Sequence, residues 1–219
     1  MSYPINYPTP QGANVQIFKE GGSTSDWVKP QGASFVWFTL IGAGSRGTLA
    51  TNGGGSGAVT NFMGPAFLIP DVLNIKVGRS GITSTNVIYQ QKDGTGYTLL
   101  TANTGSTGGA GGSAMAANYF TAMGFFQSIA GQAGTGGNVS ASTTTFLSGG
   151  GGAAGATITA NYGYTNDGGA PGNASGLFQM QPIIVGLGSA GTGKAGIGCG
   201  GGDNAVSTGG DGMVVIITW

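Results

Sequence analysis

At 219 residues the chain fits one domain of ordinary size; 48 of those residues are glycine, about three times the usual share. It is 39% hydrophobic and only 6% charged, the opposite of what keeps a chain disordered. Seven basic residues balance seven acidic ones without clustering, which excludes the basic patch that nucleic-acid binding requires, and the lack of any histidine excludes Ser-His-Asp and Cys-His catalysis and the usual zinc sites.

Residues 1–24 read as an extended N-terminal arm. Tyr3-Pro4, Tyr7-Pro8 and Thr9-Pro10 favour extended backbone before each proline. Val15-Gln16-Ile17-Phe18 suits a short strand and Gly21-Gly22-Ser23 a hinge. The arm either packs on its own domain or reaches a neighbouring subunit, with Tyr3, Ile5, Tyr7 and Phe18 as its candidate attachment side chains.

A single glycine-rich domain, 25–219, follows. Pro30 and Gly32 predict a type I turn with Pro30 second and Gly32 fourth. Phe35 to Ile41 and Met213 to Trp219 are the two most apolar runs; both read as strands covered on two faces and are expected to lie together in the core. Leu73, Ile75 and Val77 alternate with Asn74 and Lys76, as in a half-buried strand. Val87–Gln90 and Tyr97–Leu100 flank Asp93-Gly94, a hairpin signal. A short helix within 113–130 would put Met115, Tyr119 and Phe126 on one face, although Gly124 opposes it.

Ordering the glycines costs on the order of 25–50 kcal/mol relative to alanine, so something that only glycine permits must offset it. Gly105, Gly108 and Gly111 recur every third residue, as do Gly131, Gly134 and Gly137, and Gly149, Gly152 and Gly155. Period three is that of polyproline II, and glycine at every third position leaves one face of such a helix bare. Neighbouring main chains can then approach and satisfy each other's amides and carbonyls. The expected fold is therefore mainly β and irregular: short strands at both ends of the domain, a bundle of glycine-rich polyproline II helices, and little or no α-helix.

Two motifs imitate nucleotide sites. Gly42-Ala43-Gly44-Ser45-Arg46-Gly47 matches G-x-G-x-x-G, but no helix-forming sequence follows it. Gly188 to Lys194 matches G-x-x-x-x-G-K, but Ala195 stands where a P-loop needs its hydroxyl. Seven carboxylates remain for glycosidase-type chemistry, and most sit in turn sequences. Cys199, the single cysteine, reads as a buried filler. No catalytic residue, metal site or cofactor is expected. No run is long and apolar enough for a membrane span, the start of the chain does not read as a signal peptide, and a lone cysteine cannot build a disulfide framework.

Trp27-Val28-Lys29-Pro30-Gln31-Gly32, the strand ending Leu40-Ile41-Gly42-Ala43-Gly44, Gly53-Gly54-Gly55-Ser56-Gly57-Ala58, Val72 to Gly78, and the closing Gly209-Gly210-Asp211-Gly212 with its strand together resemble the glycine-rich domain of phage tail-fibre, adhesin and related virion proteins. The resemblance covers about residues 26–219. It implies a polyglycine II sandwich: stacked helices whose loops at one end carry receptor contacts. By that likeness Tyr119, Phe125, Phe126, Tyr162, Tyr164 and Phe178 are candidate receptor-binding residues, with a role as core or inter-subunit anchors equally open. The partners implied are other virion proteins and a host surface protein or glycan, with no nucleic acid and no membrane insertion, in multiple copies or as a homo-oligomer. The implied location is the virion, after synthesis in a host cytoplasm, on a tail fibre or as a capsid decoration or head fibre.

Overall fold

The apolar run Phe35–Ile41 forms strand β3, and the equally apolar Met213–Thr218 forms β9 beside it, antiparallel, with Val36 opposite Thr218 and Ile41 opposite Met213. On the other side of β3 lies β4 (Val59–Pro65), with Phe35 opposite Pro65 and Ile41 opposite Val59. Strands β1 (Asn14–Phe18) and β8 (Phe125–Ile129) complete a five-stranded sheet in the order β1-β9-β3-β4-β8. A second sheet, of four strands, runs β2-β5-β6-β7, from β2 (Thr24–Val28), β5 (Val72–Lys76), β6 (Thr85–Gln90) and β7 (Gly96–Ala102). All pairings are antiparallel. The computed structural model describes residues 13–47, 54–107, 109–131, 133, 195–201 and 208–219, and none of these lies in an α-helix.

The two sheets enclose one apolar core. Strand alternation sends Val36, Phe38 and Leu40 inward from β3, Phe62 from β4, and Val214 and Ile216 from β9. Trp27, Leu73, Ile75, Val87 and Leu100 meet them from the four-stranded sheet. The Trp27 ring stands edge-on to Phe38, with centroids 5.6 Å apart. Leu73, Ile75 and Val77 are all buried, as their alternation requires.

Beyond β3 and β4 the bulky side chains give out and main-chain hydrogen bonds continue, keeping the strands' pairing numbers but not their side-to-side alternation. Gly42 N–H donates to Ala58 C=O at 2.8 Å and Ser45 N–H to Gly55 C=O at 3.0 Å, both in the β3–β4 register. Gly44 N–H donates to Gly210 C=O at 2.8 Å, in the β3–β9 register. Here the sheets also bond to each other. Gly105 N–H donates to Ala43 C=O, Gly81 N–H to Gly44 C=O, and Gly212 N–H to Gly78 C=O, each at 2.9 Å. Sheets separated by side chains stand about 10 Å apart; hydrogen bonds between their main chains close that gap. The sandwich is a wedge, with side chains filling the thick end and backbone the thin end. Residues 195–201 add a further layer against the outer side of the five-stranded sheet, through Gly201 N–H to Ser45 C=O and Gly57 N–H to Gly198 C=O, both 2.8 Å.

Glycine is what allows this. A Cβ on Gly44 would lie 1.9 Å from the Cys199 carbonyl oxygen, one on Gly55 1.8 Å from that of Ala110, and one on Gly210 1.6 Å from that of Gly196. Strand alternation is also lost. Cβ positions on Gly42 and Gly44, two residues apart, aim at opposite layers, towards Asn103 and Cys199. Those on Gly54 and Gly57, three apart, both aim at the 42–45 segment. Of the triplet-spaced glycines, Gly105 is buried in this packed region and Gly111 and Gly131 are half-buried; Gly108, Gly134, Gly137, Gly149, Gly152 and Gly155 lie outside the described residues.

Two local expectations are revised. The turn after β2 starts one residue later than read. Ala33 N–H reaches Pro30 C=O at 3.4 Å and Gly32 stands third with φ of 78°, the left-handed residue of a type II turn. No helix forms within 113–130, which holds a 3₁₀ turn at Thr121–Met123 and then β8. A Cβ on Gly124 would lie 2.3 Å from the Met63 carbonyl, so pairing with β4 excludes larger residues there. Val15–Phe18, within the expected arm, forms the short strand its sequence suggests, as part of edge strand β1. The Asp93-Gly94 hairpin forms as its sequence implies: Gln91 and Thr95 close the loop Lys92-Asp93-Gly94, and Gly94 has φ of 87°.

Candidate functional site

The outer faces of the two sheets differ in chemistry. That of the four-stranded sheet is polar: Asn74 Nδ2 donates to Asp26, and Thr101 Oγ1 donates to Asn86 Oδ1 at 2.6 Å. That of the five-stranded sheet carries no charge on any strand. One cross-strand row reads Val15, Ile217, Trp37, Met63, Phe125. The next reads Ile17, Val215, Thr39, Asn61, Gln127, with Thr39 Oγ1 donating to Asn61 Oδ1 at 2.8 Å. Towards the glycine end Ile41, Val59 and Met213 of this face are buried beneath Ile197. At the other end Val15, Phe35, Met63 and Phe125 are exposed.

Three described aromatics stand furthest into solvent: Tyr119 is 98% exposed, Phe67 82% and Phe125 64%, with exposed Met63 directly across from Phe125. Tyr119 is held out by a reciprocal hydrogen-bonded box. Asn118 N–H donates to Thr121 Oγ1 at 2.8 Å, Thr121 N–H donates to Asn118 Oδ1 at 2.9 Å, and Asn118 Nδ2 donates to Leu99 C=O at 3.0 Å. This is capping-box chemistry on a 3₁₀ turn. It drives Phe120 inward, its ring centroid 4.6 Å from that of Phe62, and leaves Tyr119 in solvent.

The candidate receptor-binding residues therefore separate. Tyr119 and Phe125 are exposed, whereas Phe126 packs against the main core. Tyr162, Tyr164 and Phe178 lie outside the described residues. Among the attachment candidates, Phe18 is partly buried on the same core, and Tyr3, Ile5 and Tyr7 lie outside the described residues. Sequence reading missed the Asn118-x-x-Thr121 box and exposed Phe67, Met63 and Met123. The box was visible as a capping pair just before a hydrophobic run; Met63 needed the strand register, and Phe67 and Met123 needed the 3₁₀ turns that carry them.

Four of the five described carboxylates serve the fold. Asp71 pairs with Lys29 at 2.8 Å, Asp26 accepts from Asn74, Asp93 accepts Thr95 N–H, and Asp211 accepts Ser80 N–H at 2.9 Å. No group of three or more His, Cys, Asp or Glu suited to a metal occurs among the described residues. In the G-x-G-x-x-G segment the amides of Gly42, Gly44 and Ser45 are all bonded to main-chain carbonyls, so they cannot cradle a phosphate. The G-x-x-x-x-G-K segment, 188–194, lies outside the described residues. No described helix is long and apolar enough to cross a membrane. The chain matches no known family model and no curated protein.

Proposed function

We propose that this chain is a non-enzymatic structural protein of a phage virion surface, similar to tail-fibre and adhesin domains, that binds a host surface receptor through side chains mounted on a stiff glycine-rich body. The observation that carries this reading is the backbone-nested end of the wedge, where several main-chain stretches bond to 42–45 from different directions. A sheet strand has two ladder neighbours in one plane. Segment 42–45 is bonded to 54–58, to Gly210, to 104–105, to Gly81 and to Gly201. Together with the three-residue spacing of Gly54 and Gly57, whose bare faces both meet that segment, this supports a bundle of glycine-rich polyproline II helices continuing from the β-sandwich.

Such a body suits recognition better than turnover. Four of its described carboxylates hold turns and strands, and the exposed Tyr119 is carried by a backbone-anchored turn. Pre-organised aromatics lose little entropy on contact. Binding of the purified chain to intact host cells tests the reading: Tyr119→Ala and Phe125→Ala together are expected to weaken it at least tenfold. Binding by the double variant equal to that of the native protein removes the aromatic edge from the site.

A second reading, a capsid decoration or head-fibre protein without a receptor, is favoured by the uncharged outer face, which suits stacking on other virion proteins. Copies per particle, counted by quantitative mass spectrometry, separate the two. A few dozen or fewer fits the tail, and hundreds fit the head.

A further inference from the structure

We propose that Asp93-Gly94 is a site of spontaneous main-chain modification in the native protein, ageing to isoaspartate through a succinimide, and that Asp211-Gly212, the same dipeptide, is spared by the nested backbone around it. A glycine after aspartate leaves the next amide nitrogen unshielded by a side chain and lets the backbone fold back on the carboxyl group. The Gly94 nitrogen attacks Cγ of Asp93: a C–N bond forms, the Cγ–OH bond breaks, and the hydroxyl leaves as water with the amide proton. Water then reopens the ring. Addition at Cγ restores aspartate. Addition at the main-chain carbonyl breaks that carbon's bond to nitrogen, routes the chain through Cβ and Cγ, and leaves a free α-carboxylate. The sum is an isomerisation, so no oxidant or other reagent is needed.

Both dipeptides are held back in the same way. At the first, Thr95 N–H donates to the Asp93 carboxylate at 2.8 Å and Gly94 N–H donates to Gln91 C=O at 3.0 Å. At the second, Ser80 N–H donates to the Asp211 carboxylate at 2.9 Å and Gly212 N–H donates to Gly78 C=O, also at 2.9 Å. Each carboxylate is drawn to another amide, and each attacking nitrogen is tied to a carbonyl. The Thr95 backbone N–H, and then its side chain, also hold the Asp93 carboxylate below its ordinary range. An ionised carboxylate is a poorer electrophile than the acid.

What differs is where the holding groups come from. Those of Asp93 all lie within 91–95, an exposed hairpin tip whose Gly94 has φ of 87°. Fraying of this short loop releases carboxylate and nitrogen together, and such local opening costs far less than global unfolding. Those of Asp211 come from distant segments. Gly198 N–H donates to Asp211 C=O at 2.9 Å, and the carboxyl group lies against Gly21. Gly212 is buried, and a Cβ there would sit 2.1 Å from Thr85 Oγ1 and 2.6 Å from the Ile41 carbonyl oxygen. Freeing Asp211 therefore means parting the two sheets at the glycine end. Ring closure at Asp93 lengthens the main chain by one methylene, which the loop closed by Gln91 and Thr95 does not accommodate, so the lesion loosens the tip beside the Tyr89–Tyr97 pair. The inference does not rest on the virion reading.

The test ages the full-length native protein in warm neutral buffer and follows isoaspartate at 93 and at 211. Proteolysis, chromatographic separation of the isomeric peptides and enzymatic methylation of the new α-carboxylate identify it. Isoaspartate is expected at 93 roughly tenfold or more faster than at 211. In guanidinium chloride, where both sets of hydrogen bonds are lost, the two rates are expected to agree within about threefold. Thr95→Val keeps a β-branched residue at the strand start and removes the hydroxyl; it should age roughly threefold faster at 93 and unchanged at 211. Native rates that are equal or reversed overturn the proposal, as does a native chain unmodified at 93 over a period in which the denatured chain is modified. A denatured chain that keeps the native ratio traces the difference to local sequence and overturns it too. An unchanged rate at 93 in Thr95→Val overturns the part assigned to Thr95.

Discussion

The amide of Gly44 donates to the carbonyl of Gly210 at 2.8 Å, the residue that the β3–β9 register sets opposite it, although an unbroken β3 would have turned that amide towards β4 as it does at Gly42. A Cβ on Gly44 would sit 1.9 Å from the Cys199 carbonyl oxygen. Gly44→Ala must therefore displace main chain, not a side-chain tip. The expected loss is at the upper end of the ~1–3 kcal/mol typical of overpacking, read as a lower urea midpoint. Gly96→Ala is the control. Its nearest neighbour would be Ile88 Cγ2 at 3.5 Å, and reduced unfolded-state freedom should leave it neutral or stabilised by about 0.4–1 kcal/mol. Equal effects at the two positions would contradict backbone nesting.

Lys29 provides a second test, at the thick end of the wedge. Its ammonium donates to Ala66 C=O at 3.0 Å and Ile69 C=O at 2.7 Å, and pairs with Asp71 at 2.8 Å. Lys29→Met keeps the stem but leaves two carbonyls without this donor, an expected cost of about 1–3 kcal/mol. Asp71 is 85% exposed, so Asp71→Asn should cost well under 1 kcal/mol. The difference between the variants in chemical denaturation checks that the carbonyls, and not the ion pair, are what Lys29 stabilises.

Thr85 joins the sheets where the side-chain core gives way to glycine. Its buried hydroxyl donates to Ile41 C=O at 2.7 Å and accepts Gly78 N–H at 3.0 Å. Thr85→Val preserves shape and removes both bonds, leaving a buried donor and acceptor unsatisfied; about 2–3 kcal/mol should be lost. Thr85→Ser, which keeps the hydroxyl, should retain most of the stability in the same unfolding assay.

Much of the β architecture was legible because it is written in side chains. Phe35–Ile41 and Met213–Thr218 are apolar on both faces, and Leu73, Ile75 and Val77 alternate, so their burial follows from pattern alone. Strands β2, β4 and β8 were not legible. Thr60, Asn61 and Gly64 interrupt any apolar run in β4, and it becomes a strand only because β3 supplies a long partner on one side. The receptor candidates were chosen as aromatics near glycine bursts, a criterion that cannot separate Tyr119 from Phe126, since burial there is decided by the Asn118–Thr121 box and by β4 pairing. Glycine nesting was readable as a requirement, from cost alone, while its partners depend on contacts far apart in sequence.

Asp93 carries the one resolved titration effect among the described residues. The backbone N–H of Thr95 and then its side chain hold the carboxylate below its ordinary range, against a smaller opposing effect of desolvation. A depressed folded value means that the contribution to hairpin stability is present above the unfolded value and is lost as pH falls through the folded one. NMR titration should give a midpoint for Asp93 below that of the same residue in the denatured chain, and Thr95→Ala should raise it by weakening only the side-chain contribution. A midpoint unmoved between folded and unfolded chains would remove the Asp93–Thr95 bond from the hairpin.

Cys199 gives a direct readout of the backbone-packed layer. It is buried within 195–201, a stretch held by Gly210 N–H to Cys199 C=O and Gly201 N–H to Ser45 C=O, both at 2.8 Å. A thiol reagent can reach its sulfur only when that layer lifts away, so the native chain should be modified slowly, at a rate set by local opening. Gly44→Ala places its new methyl against the Cys199 carbonyl itself and should accelerate modification far more than its effect on global unfolding predicts. Lys29→Met, which weakens the opposite end of the wedge, should change the rate only in proportion to global stability. If both variants accelerate labelling in the same proportion to their stability loss, the glycine-rich end opens only with the whole domain; a separate acceleration in Gly44→Ala identifies it as a cooperative unit of its own.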